Sequence, residues 1–326
     1  MTTKEKILHY LEAHAGEYCS GAELGAQLGL TRSAVWKGIE QLRQSDYEIT
    51  AVSNRGYSLA CNSDVLSASG INRFLSKECA ALSIEVYDEV ESTNLLLRER
   101  AERNAPHGLT LVANSQTHGR GRWGRSFFAP SGVGAYFSLL LRPEKLSICH
   151  GSKITALAAV AAAEAIERVS HVQAQIKWVN DVYVNSHKVC GILTEASVGL
   201  ENGEHRYIVL GVGINLYKPP GDYPEELRAR AGCILPQKIL NGRNRLIAEF
   251  LNIFYGDYCH HASADCLERY RSRCFTLGRE VTVVTPTQER SARALAIDQD
   301  YRLVVEYKDH TVESLSAGEA NIKGLG

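Results

Sequence analysis

Seven consecutive residues, Gly119-Arg120-Gly121-Arg122-Trp123-Gly124-Arg125, hold three glycines and three arginines. Three guanidiniums without partners cannot enter a core, and glycine is costly in helices and strands alike. The segment is therefore a loop. It brings backbone N–H groups and fixed positive charge to one place, which suits a phosphate or a carboxylate. A solvated basic loop is the plainer alternative. The spacing Gly119-x-Gly121-x-x-Gly124 also matches a dinucleotide fingerprint, but that motif needs a following helix. Ser126-Phe127-Phe128-Ala129-Pro130 has no helical period. No segment ends in the Gly-Lys-Ser/Thr of a phosphate loop.

Further polar residues interrupt apolar surroundings. Ser92, Thr93 and Asn94 precede a helix predicted from Leu95 to about Arg103, and either cap it or bind a polar head-group. Lys177, Asn180, Asp181 and Lys188 break the strands of 176–184 and 188–195, where buried polar groups need partners such as a ligand; a plain turn at Asn180-Asp181 is the other reading. Tyr207 to Leu216 alternates Gly211 and Gly213 with apolar residues, which suggests close approach of a ligand or another backbone.

Strands and helices must position these groups. Strands are predicted at 83–87, 109–113, which delivers Gln116 and the arginine loop, and 135–141. Ile154 to Ile166 is alanine-rich and reads as a buried helix, too short and too acidic at its end to cross a membrane. Residues 4–60 read as three helices and a hairpin. Ser20 with Glu23 forms a capping box, Thr31 caps a helix over 32–44, and the tip at Ser53-Asn54-Arg55-Gly56 makes a wing. Arg32, Ser33, Lys37 and Arg43 on the third helix and Arg55 on the wing are the candidate DNA contacts. Trp36 contacts DNA or packs on the next domain. A domain used only for protein contacts is the alternative. Gly38 in mid-helix suggests close backbone approach. Short strands at 280–284, 292–297, 303–307 and 311–315 form a last β-domain.

With 326 residues, 44% hydrophobic and 22% charged, the chain is an ordinary globular protein of two or three domains. A net charge of −1 excludes a general polyanion binder. The nine cysteines form no Cys-x-x-Cys pair, and Cys259, Cys266 and Cys274 with His260 and His261 lack metal-finger spacing, so reduced cytoplasmic thiols are expected.

The order Ser92-Thr93-Asn94, Gln116, Gly119 to Arg125, Lys177-Trp178-Val179-Asn180-Asp181, Lys188 to Leu193 and Gly211 to Leu216 resembles the biotin protein ligases. With the N-terminal winged helix it looks like their bifunctional bacterial form, ligase and biotin operon repressor. The resemblance covers essentially the whole chain. It implies an α+β protein: a winged helix-turn-helix over 1–62, a mixed α/β catalytic domain of the biotin/lipoate ligase type over 63–275, and an SH3-like β-domain over 276–326. It also implies that biotin and ATP, with Mg2+ carried on the nucleotide phosphates, give biotinyl-5′-adenylate. A lysine of the biotin carboxyl carrier protein then takes the biotin.

By resemblance, Ser92, Thr93, Asn94, Gln116, Gly119, Arg120, Arg122, Lys188 and Gly191 bind biotin. Arg120, Arg122, Trp123, Lys177, Asn180, Asp181, Lys188 and Asn215 hold the ATP or adenylate, with Trp123 covering the adenine. Arg122 and Lys188 are the catalytic pair. The adenylate is the corepressor, and it pairs the chains as homodimers on operator DNA. The arginine loop is expected to be mobile until ligand arrives. Val179 stands where the family usually has proline, which leaves the local backbone less fixed. Cys190 stands where alanine is usual and Lys323 where arginine is common. A ligand-sensing transcription factor with an inactive ligase domain, and a lipoate ligase relative, are the alternatives.

Overall fold

The computed structural model describes residues 2–142, 150–198, 205–259, 264–285, 288–316 and 318–322. Lys323, His260 and His261 lie outside them.

Helices α1 (Thr3–Ala13), α2 (Gly21–Leu28) and α3 (Arg32–Arg43) precede a hairpin of β1 (Ile49–Val52) and β2 (Gly56–Leu59). The expected capping box closes the start of α2. Ser20 Oγ accepts from Glu23 N–H at 3.1 Å, and the Glu23 carboxylate accepts from Ser20 N–H at 2.8 Å. Gly29, at φ 65°, ends that helix in the left-handed region. At Gly38 the side chain of Ile7 from α1 fills the space a Cβ would take, so the close neighbour is a side chain and not the backbone expected there. Ile7, Leu11, Leu24, Val35, Ile39 and Leu42 form a core separate from the rest of the molecule.

After α4 (Ala68–Asn72) the chain builds one sheet. Its strands are β3 (Ser83–Val90), β4 (Leu109–Gln116), β5 (Gly134–Leu141), β6 (Gln175–Lys177), β7 (Asp181–Val184), β8 (His187–Val198) and β9 (His205–Asn215), in the spatial order β3-β4-β5-β9-β8-β7-β6. Only β3 and β4 pair in parallel, and α5 (Thr93–Glu102) makes the crossover between them. Every residue of β5 is buried because the sheet is covered on both faces. Phe137, Leu139 and Leu141 face α6 (His150–Ser170) and α8 (Gly242–Cys259), while Leu140 joins the cluster under α5. The alanines from 156 to 165 in α6 are fully buried, as read for that helix. On the α5 side, Ser138, Gly211 and Leu193 lie in one cross-strand row, and Tyr136, Gly213 and Gly191 in the next. The short α7 (Glu225–Arg228) and α9 (Ala264–Arg273) complete the helices described.

The last five strands, β10 (Glu280–Val284), β11 (Glu289–Ile297), β12 (Leu303–Tyr307), β13 (Val312–Leu315) and β14 (Glu319–Ile322), form an antiparallel sheet ordered β13-β12-β11-β10-β14. Trp178, between β6 and β7, ties the two sheets. Its backbone N–H donates to Thr276 Oγ1 and its indole N–H to the Tyr301 carbonyl, each at 3.0 Å. Val179 is likewise held, its carbonyl accepting from Tyr270 Oη at 3.2 Å, so the backbone at this turn is fixed without proline. The winged-helix region is tied in by the buried Glu12, which accepts from Asn241 Nδ2 at 2.9 Å and from Arg73. Beside it, Asp64 and Arg243 form a buried ion pair at 3.1 Å.

Candidate active site and nucleic-acid interface

One cavity of about 570 Å³ opens over the Gly191–Gly213 row of the sheet. Ser92 caps α5, accepting from Leu95 N–H at 3.5 Å, and still lines the cavity, so capping and ligand binding are compatible. The adjacent groups form a chain. Thr93 N–H donates to Gln116 Oε1 at 2.8 Å, Thr93 Oγ1 lies 2.7 Å from Ser138 Oγ, and Ser138 donates to Asn94 Oδ1 at 2.6 Å. Asn94 Nδ2 donates to Glu195 at 2.8 Å. This end of the cavity offers polar groups on a rigid sheet and helix.

The other end is cationic. Arg120, Arg122, Arg125, Lys177, Lys188 and Arg230 line it against two lining carboxylates, Asp181 and Glu319. Lys188 Nζ lies 2.7 Å from Asp181, and Arg125 lies 2.8 Å from Glu319. Arg122 donates to Asn180 Oδ1 at 3.0 Å and to the Gly318 carbonyl at 3.1 Å. Lys177 donates to Asn321 Oδ1 at 3.2 Å. Burial pushes both Arg122 and Lys177 below their ordinary pKa, and Asp181 partly opposes this. Cations desolvated against neutral acceptors mark a place for an anion. Asn180 is fixed by two bonds to Ile192, its Nδ2 donating at 3.0 Å and its carbonyl accepting at 3.0 Å; it closes the turn after β6, while Asp181 already begins β7.

Most expected residues converge here: Ser92, Thr93, Asn94, Gln116, Arg120, Arg122, Lys177, Asn180, Asp181, Lys188, Gly191 and Asn215 all line the cavity. Gly119 and Trp123 do not. Gly119 is held against Phe127, whose N–H donates to its carbonyl at 2.8 Å, and a Cβ there would strike the Phe127 carbonyl. It shapes the loop. Trp123 is 53% exposed with φ 59°, turned to solvent instead of covering the cavity. In the structure the loop is tied to the C-terminal sheet: Arg122 donates to the Gly318 carbonyl and Arg125 to Glu319 of β14. The strand glycines line the cavity, and the groups packed closest to them are side chains and not backbone. Gly211 leaves room for Asn94, and a Cβ on Gly213 would lie 2.6 Å from the Phe127 ring. Phe127, Phe128, Tyr223, Arg230 and Glu319 line the cavity without having been singled out.

Among the described residues no group of three His, Cys, Asp or Glu could hold a metal, and no helix is long and apolar enough to cross a membrane. Eight cysteines are described and none is paired.

On α3, Arg32, Ser33 and Lys37 are exposed together. Trp36 is 56% exposed, so it does not pack on a neighbouring domain. Arg55 on the wing stacks over the Tyr18 ring at 4.2 Å. Arg43 differs from expectation. Its guanidinium donates twice to the Ile49 carbonyl, at 3.1 and 2.9 Å, and pairs with Glu40 at 2.8 Å. It braces the hairpin against the helix rather than facing DNA.

Residues 86–215 match the biotin/lipoate A/B protein ligase family, and residues 3–58 match a helix-turn-helix domain. The chain is 33% identical over 322 residues to the bifunctional ligase/repressor BirA of Bacillus subtilis, covering 97% of this chain and 98% of that one. It is 28% identical to the Escherichia coli protein of the same name, over 94% of each. A biotin protein ligase from Aquifex aeolicus, solved with biotin and ATP, superimposes with a TM-score of 0.62 at 24% identity, over 74% of this chain and 98% of that one. At that identity it establishes the fold alone.

Proposed function

Because the chain belongs to the biotin/lipoate A/B protein ligase family, we infer that it is an ATP-dependent biotin protein ligase and a biotin-dependent repressor. It forms biotinyl-5′-adenylate and transfers biotin to a lysine of the carboxyl carrier protein of acetyl-CoA carboxylase. The observation that carries this reading is the two-ended cavity. A polar, sheet-backed pocket at Ser92, Thr93 and Gln116 adjoins a cluster of cations beneath the arginine loop.

A carboxylate attacking the α-phosphorus needs no enzyme nucleophile. It needs two anions aligned and their repulsion cancelled. Ser92, Thr93, Asn94 and Gln116, with Gly191 in the floor, take the biotin head. Arg122 and Lys188 meet the carboxylate and the α-phosphate, and Arg120 adds charge from the loop. Lys177, Asn180, Asp181 and Asn215 line the nucleotide end. Magnesium would arrive with ATP and supply charge that favours pyrophosphate departure, and Asn180 and Asp181 would offer it oxygen donors at the nucleotide end of the cavity. Exclusion of water preserves the labile mixed anhydride until the carrier lysine attacks the acyl carbon and AMP leaves.

Domain limits of 1–62, 63–275 and 276–326 follow from this reading, as do a cytoplasmic location, adenylate-induced homodimers and an operator of two half-sites. Arg32, Ser33 and Lys37 contact the operator from α3 and Arg55 from the wing.

Biotin-dependent exchange of labelled pyrophosphate into ATP tests the enzyme. No exchange leaves only a ligand-sensing repressor. Calorimetric titration with biotin and with lipoate tests the ligand. A gel shift on the chain's own biotin-gene promoter, with and without biotin plus ATP, tests repression. Arg32→Ala is expected to raise its midpoint, and an unchanged midpoint removes Arg32 from the interface.

A further inference from the structure

Glu195 on β8 is not among the residues lining the cavity, yet both its side-chain partners are. One carboxylate oxygen accepts from Asn94 Nδ2 at 2.8 Å, and the other lies 3.3 Å from Arg120 Nη1. These partners belong to opposite sides of the site, Asn94 to the head-group pocket and Arg120 to the arginine loop.

The carboxylate also settles the direction of the hydrogen-bond chain. The Glu195 carboxylate oxygen and the Leu193 carbonyl, the latter 3.4 Å from Asn94 Nδ2, are both acceptors. The amide nitrogen of Asn94 must face them, so Oδ1 faces Ser138. A serine hydroxyl has one proton, and it is required on Asn94 Oδ1, 2.6 Å away. Ser138 therefore accepts from Thr93, whose hydroxyl lies 2.7 Å from it. Gln116 Oε1 accepts from the Thr93 N–H at 2.8 Å and lies 3.1 Å from the Thr93 hydroxyl, so both contacts of Gln116 to Thr93 use its oxygen and its Nε2 is the donor left for the cavity. Gly211 permits this arrangement, because a Cβ there would overlap the Asn94 amide.

We propose that Glu195 is a positioning residue for the ligand site. It fixes which donors and acceptors the head-group pocket presents, and it aligns Arg120 beside that pocket, without itself touching the ligand. The proposal rests on the biotin-ligase reading above.

The test uses the full-length protein. Biotin affinity is measured by calorimetry without ATP, and kcat and KM for biotin by pyrophosphate exchange. Glu195→Ala removes both contacts. Loss of one hydrogen bond to a charged group corresponds to roughly a tenfold to hundredfold weaker biotin affinity. Glu195→Gln keeps an amide oxygen for Asn94 and removes the charge facing Arg120. It is expected to retain biotin affinity near wild type while kcat falls. The double variant Glu195→Ala/Asn94→Ala is expected to lose less biotin affinity than the sum of the two single losses, because part of the effect of Glu195 runs through Asn94.

Wild-type affinity in Glu195→Ala, or additive losses in the double variant, overturns the proposal. Should Glu195→Ala melt below assay temperature, Glu195→Gln decides: unchanged kcat and KM overturn it, and a selective fall in kcat supports it. Failure of the wild-type protein to bind biotin overturns the functional reading itself, so the two failures are distinct.

Discussion

Arg122→Gly should shorten the life of the bound adenylate far more than it weakens carrier binding. Arg122 is desolvated by burial, and its guanidinium now rests on two neutral acceptors, Asn180 Oδ1 at 3.0 Å and the Gly318 carbonyl at 3.1 Å. An anion accepts such a bond better than an amide does. A hydrogen bond involving a charged group contributes about 1.5–3 kcal/mol, so losing one ligand bond speeds release roughly tenfold to a hundredfold. Two effects favour the upper end. The folded protein has already desolvated the guanidinium, so a ligand does not bear that cost again. Glycine also adds backbone freedom to a loop that already holds three glycines. The assay loads the protein with labelled adenylate and chases with unlabelled biotin and ATP. In parallel, the KM for carrier protein is measured. A release rate equal to wild type would refute the role of Arg122. Equal damage to release and to carrier KM would show that the substitution deformed the whole loop.

Lys177 gives a pH prediction. Burial lowers its pKa, and an incoming anion raises it again. Its contribution to ATP affinity is therefore complete below the lowered free-protein value and is lost as pH rises through the bound-state value. Lys177→Met should flatten the alkaline side of the affinity profile, and an identical slope in the variant would remove Lys177 from the site. Gly211→Ala places a methyl group on the Asn94 amide. Overpacking of this kind costs about 1–3 kcal/mol of stability, read by melting, and calorimetry should show weakened biotin binding. Arg243→Met strands the buried Asp64. Unfolding in urea should show a loss of about 3–5 kcal/mol, largely restored by adding Asp64→Leu; a loss that persists undiminished in the pair would contradict the ion-pair explanation.

Local chemistry made much of this legible. The capping box at Ser20 and Glu23, the alanine-rich helix α6 and the alternating terminal strands each carry their structure in neighbouring residues. The arginine loop pointed to an anion because its composition suits neither core, helix nor strand, and only the cavity beside it separates that role from a merely solvated loop. What the sequence hid depends on long-range pairing. Arg125 meets Glu319, 194 residues away, and no period links them. Gly211 and Gly213 did mark a close approach, but the occupants are Asn94 and Phe127, which only the packed sheet reveals. Arg43 and Trp123 had the right chemistry for their expected partners. Tertiary geometry turned one inward to Ile49 and the other outward to solvent.

The charges that line the cavity are engaged with the protein's own groups. Lys188 and Arg125 hold carboxylates, at 2.7 and 2.8 Å, while Arg122 and Lys177 hold only neutral oxygens. Neutral bonds contribute about 0.5–1.5 kcal/mol and bonds to charged groups about 1.5–3, so an entering anion displaces the former first. Arg122 and Lys177 are thus the groups readiest to receive a phosphate, and Lys188 joins as the new negative charge competes with Asp181. Each transfer has a structural consequence. Moving Arg122 to a ligand releases the Gly318 carbonyl, and moving Lys177 releases Asn321, at the two ends of the β14 segment. Occupancy of the cavity and the hold on β14 therefore draw on the same donors. That shared use gives ligand binding a direct physical route to the C-terminal sheet.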